Sequence, residues 1–283
     1  MIALLGGLGA AICFAVSTLG SARSSRLIGA PAVVGWMMLV GLLFTLPLFP
    51  LTGALTATVT PFDGGLLLLA GLTNIVGLIS EYGALRVGRV GLVVGLVSAE
   101  GAVAAVIAIL GGQAVTVGAA IALAVVGGGV VVIGLASEDH GARSSNPGLA
   151  TLLALVAAGC FGLNLVVIGR LGADLPFAWA LMAARVFGVV AVTVPLLLLR
   201  RLRLSRAALP LVIASGVAEV VGQLSFLRGA QANLAVSSIL VSQFATISAV
   251  AAYFLFHERL TRVQAAGVVA VVGGVCALAL LQG

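Results

Sequence analysis

Three ionisable side chains stand deep inside long apolar runs of this sequence. They are Glu100 in "GLVVGLVSAEGAVAAVIAIL", Arg185 in "FAWALMAARVFGVVAVTV" and Glu219 in "LVIASGVAEVVGQLSFL". A charge at the centre of a bilayer costs at least about 2.5–3.5 kcal/mol on insertion scales, so such groups face an interior and mark function. Arg185 and one of the acids can form a buried ion pair that fixes helix packing. The planar guanidinium fork suits bidentate recognition of a carboxylate equally well. Either way at least one carboxyl is left over, and a carboxyl away from bulk water holds its proton more firmly than an exposed one. Glu219 and Glu100 are therefore the candidates for carrying a proton. Polar neighbours at comparable depth are Asn74, Asn164, Gln223, Ser242 and Gln243. Glu219 and Gln223, four residues apart, share one helix face.

The elements that must position these groups are set by composition. The 283 residues are 62% hydrophobic and 8% charged, with mean hydropathy +1.30. Soluble domains are roughly 45–50% apolar, so this chain has too little polar surface to face water. Apolar stretches of about 20 residues match a hydrocarbon core of roughly 30 Å. Ten occur, at approximately 1–21, 32–50, 64–84, 90–110, 115–136, 149–169, 176–199, 207–227, 235–256 and 262–281. Unpaired backbone is costly in lipid, which makes them helices. The first lacks the basic region of a secretory signal, and nine more follow it, so it reads as a membrane span. Cys13, Cys160 and Cys276 all fall inside spans and form no metal or redox motif.

The net charge of +6 is carried without any Lys, on 14 Arg. Eleven of these fall in alternate loops: Arg23 and Arg26; Arg86 and Arg89; Arg143; Arg200, Arg201, Arg203 and Arg206; Arg259 and Arg262. Arg170 and Arg228 lie on the other side. The positive-inside rule puts the eleven-Arg side in the cytoplasm, and an even span count puts both termini outside. That distribution is an orientation signal, and nucleic acid is not an expected partner. Enzyme chemistry is not expected either. There is no GxxxxGK[ST] or HExxH, only His140 and His257 are present, and no nucleophile motif occurs. The 38 glycines, many within spans, suit close helix approach.

The sequence also repeats. A shift of 145 carries Val76, Gly77 and Ser80 onto Val221, Gly222 and Ser225, and Gly128-Gly129 onto Gly273-Gly274. The same shift sets Asn74 opposite Glu219, Gln113 opposite Glu258 and Thr116 opposite Thr261. "AICFAVS" (11–17) resembles "AGCFGLN" (158–164) at a shift of 147, and Trp36 matches Trp179 at 143. Two halves of five helices each follow, at 1–140 and 141–283. An odd number of spans per half inverts the second half relative to the first. Inverted repeats are a hallmark of secondary transporters, with the substrate site near the midplane between the halves. The alternative left open is a uniporter or a channel-like bundle without proton coupling.

"SSILVSQFATISAVAAYFLFHERLTRVQAAGVVAVVGGV" (237–275) resembles the closing segment of the EamA family, within the drug/metabolite transporter superfamily. The family's Glu-Arg turn, then a Gln before a Gly-bearing last helix, is supplied by Glu258, Arg259, Gln264 and Gly267. "PLLLLRRLRLSRAALP" (195–210) resembles the basic connection between the seventh and eighth helices, and Arg185 falls where the seventh helix often carries an Arg. In the first half Gln113 replaces the turn Glu, and Leu42 stands opposite Arg185. The resemblance implies a ten-helix exporter of small metabolites, often amino acids, in a bacterial inner membrane.

The expected fold is thus all-α and integral to the membrane, with ten helices in two inverted five-helix repeats around a central cavity. The expected substrate-binding residues are Arg185, Glu219, Gln223, Asn74, Asn164, Ser242, Gln243, Trp179 and Trp36. Glu81, close to Arg86 and Arg89, reads as an interfacial pair or gate. Glu258 and Arg259 read as structural or gating groups, with Thr261 as N-cap and Gln264 at N3 of a capping box. The expected partners are a small-molecule substrate, the lipid bilayer and protons. No cofactor or metal is expected, and the protein is expected to be a monomer.

Overall fold

With so few polar side chains, the backbone must satisfy its own hydrogen bonds, and the chain does so as helix. A computed structural model describes residues 2–111, 117–136, 146–232, 241, 244–256 and 261–282. The helices are α1 (Ile2–Ile28), α2 (Ala30–Thr45), α3 (Pro61–Val87), α4 (Val90–Val97), α5 (Glu100–Leu110), α6 (Val117–Ala136), α7 (Pro147–Asp174), α8 (Ala178–Gly188), α9 (Val194–Leu198), α10 (Leu209–Ala232), α11 (Phe244–Phe256) and α12 (Arg262–Gln282). No strand occurs among the described residues. Helix falls on every one of the ten apolar stretches. Five helical segments are long and apolar enough to cross a membrane, at Leu4–Ile28, Pro61–Val87, Pro147–Ile168, Ala178–Leu198 and Leu209–Gly229; shorter apolar helices lie at Ala30–Thr45, Val90–Ala104 and Ala265–Gly274. The chain is a multi-pass membrane protein.

Helix starts follow local chemistry. Thr60 and Asp63 form a reciprocal capping box at α3: Asp63 N–H donates to Thr60 Oγ1 at 3.2 Å, and Thr60 N–H to Asp63 Oδ2 at 3.0 Å. Pro61 fills the first position, where an N–H has no partner to lose. Asn146 caps α7 by a single bond, accepting from Leu149 N–H at 3.1 Å ahead of Pro147. Gly29, at φ +90°, lets α1 turn into α2 without a loop. Thr261 stands directly before α12, in the N-cap position expected, and its carbonyl accepts from Ala265 N–H at 2.9 Å. Glu258, Arg259, Gln113 and Thr116 lie outside the described residues, as does the 140/141 boundary.

Two expected spans are interrupted. The stretch 90–110 turns at Ser98–Ala99, dividing α4 from α5, and the stretch 176–199 passes through a π-helical segment, Val189–Thr193, between α8 and α9. Ser98 Oγ donates to Gly95 O at 2.8 Å, and Thr193 Oγ1 to Gly35 O of α2 at 2.8 Å, so hydroxyls serve carbonyls near both irregularities. All eight residues of α4 are buried. Irregular helix inside a membrane protein is tolerated where protein or a cavity surrounds it.

The most extensive helix pairings are α1 with α10, α3 with α7, and α6 with α12. Small residues make them close. A methyl group at Gly6 would fall 2.6 Å from Gly229 Cα, and one at Gly129 would fall 2.9 Å from Gly267 O. Such seams gain van der Waals contact between backbones, which lipid cannot supply. The outer surface carries Leu, Val, Ile and Phe, whereas Ser17, Thr73, Glu81, Asn164, Arg185 and Glu219 are buried. That polarity is the reverse of a soluble protein's, as a hydrocarbon surround requires.

Candidate functional site

A half-open cavity of about 550 Å³ penetrates the helix bundle, a size suited to a small organic ligand. Its wall is drawn from α1, α3, α4, α5, α7, α8 and α10, with Val241 and Phe244 closing it. Asn74 and Glu81 of α3, Glu100 of α5, Asn164 of α7, and Glu219 and Gln223 of α10 all line it. Six of the expected site residues are therefore gathered at one place. Ser242 and Gln243 lie outside the described residues.

Arg185 stands behind this wall, and its side chain is not exposed at all. Its Nη1 meets Glu219 Oε1 at 3.0 Å, and its Nη2 donates to Gln223 Oε1 at 3.4 Å. Glu219 and Gln223 share one face of α10, so a single helix supplies both acceptors. Met38 of α2 packs its sulfur 3.7 Å from Nη1. Room for the guanidinium comes from Gly41, where a methyl group would lie 2.9 Å from Arg185 Cδ and 3.0 Å from Nε. Gly41→Ala is expected to lower stability by about 1–3 kcal/mol through overpacking. An unchanged denaturation midpoint in detergent would mean that α2 gives way freely at this point.

Of the two pairings open to Arg185, the structure contains the one with Glu219. The guanidinium is absent from the cavity wall, so it does not present its fork to a ligand there. Glu100 is the carboxyl left over. It opens α5 immediately after the Ser98–Ala99 turn, and Gly162 of α7 lets that restart approach: a methyl group there would sit 2.7 Å from Glu100 O.

Three expectations are corrected. Glu81 is not at an interface with Arg86 and Arg89; it is 6% exposed and lines the same cavity as Glu100 and Glu219. Trp36 and Trp179 do not line the cavity. Trp36 Nε1 donates to Arg203 O at 3.1 Å, and Trp179 Nε1 to Ala54 O at 3.0 Å, with Phe49 edge-on to the Trp179 ring at 5.0 Å. Each indole ties a helix to a connecting segment. Asn164 reaches the cavity as expected, yet its Nδ2 is occupied by Ala70 O at 2.7 Å and Thr73 Oγ1 at 2.9 Å.

Sequence reasoning missed the aromatic part of the wall: Phe14, Tyr82, Phe161, Phe177, Phe226 and Phe244. Phe14 and Phe244 meet edge to face at 6.5 Å. A signal for two of them was present, since the Cys-Phe pairs at 13–14 and 160–161 are in the repeated segment.

A helical bundle with a lipid-compatible exterior and a cavity floored by carboxyls defines a polytopic membrane protein with a built internal site. Residues 148–280 match the EamA-like transporter family. The family that this segment matches is one of membrane transporters in the drug/metabolite superfamily. A solved structure described as "Crystal structure of protein" has the same fold at TM-score 0.65, with 15% identity over 99% of this chain and 96% of the other. None of the curated proteins compared with the chain matches it.

Proposed function

We propose that the protein exports small polar or amphipathic metabolites, amino acids and related compounds among them, across a bacterial inner membrane by proton-coupled alternating access. The observation that carries this reading is the cavity itself: it is walled by helices from both ends of the chain and holds three carboxyls in an otherwise apolar bundle. Gln223 and Asn74 offer polar contacts to a ligand. Glu100 and Glu81 are the coupling carboxyls in this reading, because Glu219 is held by Arg185.

Alternating access in this reading rests on ten crossings in two inverted halves, 1–140 and 141–283. Exchanging the halves exchanges the helix pairings: α1–α10 becomes α3–α7, α2–α10 becomes α3–α8, and α6–α12 returns to itself. Individual contacts follow. Gly129 faces Val271 while Gly274 faces Val126, both pairs related by the shift of 145. Gly77 faces Phe161 while Gly222 faces Phe14. Trp36 holds the segment after α9, and Trp179 the segment after α2. Two halves built alike can exchange roles at the two membrane faces, which is the basis of rocking around a fixed site.

Reconstituted in liposomes, the protein is expected to give saturable uptake of members of an amino-acid and amine panel, increased by an outward proton gradient. Absence of any saturable flux, or a conductance far above transporter turnover, would overturn this reading. Orientation has its own check. After removal of Cys13, Cys160 and Cys276, a cysteine at Leu204 should resist an impermeant thiol reagent in intact cells, while one appended after Gly283 should react. The opposite pattern would reverse the topology and leave the repeat reading intact.

A further inference from the structure

We infer that the cavity takes an organic monocation with an apolar body, an amine in preference to a carboxylate. This rests on the transporter reading of the same site and narrows its substrate class. The wall holds Glu81, Glu100 and Glu219, and among the described residues no Arg or His lines it. One guanidinium, Arg185, offsets one of these carboxyls from behind the wall. Two remain without a countercharge on the wall. Inside an apolar bundle such a carboxyl is stabilised by taking a proton or meeting a cation.

Among the described residues no cationic hydrogen-bond donor lines the wall; the neutral amides of Asn74 and Gln223 are its side-chain N–H donors toward a ligand. A substrate carboxylate needs N–H groups, ideally on a cation. Arg185 directs Nη1 to Glu219 and Nη2 to Gln223 from behind the wall, where its Nε is also buried, and Asn164 directs its Nδ2 to α3. Glu219, only 6% exposed, has a second oxygen, Oε2, with no partner among the described residues. It is a buried acceptor, belonging to a residue of the wall, that lacks a donor. An ammonium brings three N–H donors and no acceptor, the complement of this wall. Phe14, Tyr82 and Phe161 add ring faces, which attract cations and bury an apolar body.

The test uses three probes with one ring and different charge: phenethylamine, phenylalanine and phenylpropionate. Binding is measured by titration calorimetry on the purified full-length chain in detergent. Phenethylamine should bind at least roughly tenfold more tightly than either of the others, a difference of about 1.4 kcal/mol. Glu100→Gln and Glu81→Gln should each erase most of that preference. Equal or tighter binding of phenylalanine or phenylpropionate, or no binding of any probe, would overturn the inference. The first result would leave transport itself standing. Selective amine binding by a protein that gives no flux in liposomes would instead sink the transporter reading and keep the cation site.

Discussion

Arg185→Met is expected to destabilise the protein by about 3–5 kcal/mol, because it leaves Glu219 as a buried carboxyl without its partner. Arg185 is wholly enclosed and contacts Glu219 at 3.0 Å, so little solvent is at hand to replace the lost contact. Glu219→Leu should cost a similar amount, since it strands the guanidinium. The double variant is the informative one. Apolar side chains filling the same volume often match or exceed a buried pair, so the combination should recover to within about 1 kcal/mol of the parent. Equilibrium unfolding in mixed detergent micelles measures all four corners of this cycle. A strongly favourable coupling between the two positions identifies the pair as the source of the cost. If the two losses simply add, Arg185 is held by Met38 and its other packing neighbours rather than by Glu219.

The pairing behind that prediction was only half legible in the sequence. Burial of Arg185, Glu219 and Glu100 follows from composition, because nothing charged survives at that depth without an interior. Which acid meets Arg185 is a matter of how α8 lies on α10, and no spacing within one helix encodes it. Glu81 was misread for a simpler reason. Its distance from Arg86 is five residues along a helix, about 7.5 Å, enough to move from a membrane face into the cavity. Trp36 and Trp179 stand out as a repeated pair, but what repeats is the attachment of a helix to a connecting segment. A buried indole needs an acceptor, and a loop carbonyl serves as well as a ligand.

Helix boundaries show a similar division. The Thr-Pro-Phe-Asp signal at 60–63 carries its capping box openly, and Asn146-Pro147 marks the start of α7 with a simple side-chain cap. The interruption at Ser98–Ala99 has no such punctuation. Val, Leu and Gly continue to either side with no proline, and hydropathy cannot distinguish a continuous apolar helix from two short ones. What the break achieves is visible only in three dimensions: it brings Glu100 to the start of α5, beside Gly162, on the cavity wall.

That position makes Glu100 the centre of the last expected result. If protons and substrate compete for the carboxyls of the cavity, an acidic liposome interior should drive accumulation, protons leaving as substrate enters. A gradient of one pH unit corresponds to about 1.4 kcal/mol for each proton exchanged, or roughly tenfold accumulation per proton. Among the described residues the charged and titratable groups around the site are Glu81, Glu100, Glu219, Tyr82 and Arg185, and of these carboxyls only Glu219 has a guanidinium against it. Glu100→Gln and Glu81→Gln therefore remove the two free carboxyls without disturbing the ion pair. Each should reduce gradient-driven accumulation of labelled phenethylamine (or of phenylalanine, where that is the species bound) by roughly tenfold for each proton it carries. Together they should abolish it. Exchange of internal for external substrate need not release a proton, so counterflow should persist in whichever single variants still bind. Glu219→Gln makes a poor substitute in this experiment, because it weakens Arg185's environment as well as removing a proton site. Should the double variant still concentrate substrate as the parent does, neither carboxyl couples. The protein would then work as a uniporter, with Glu81 and Glu100 serving only to solvate what passes through.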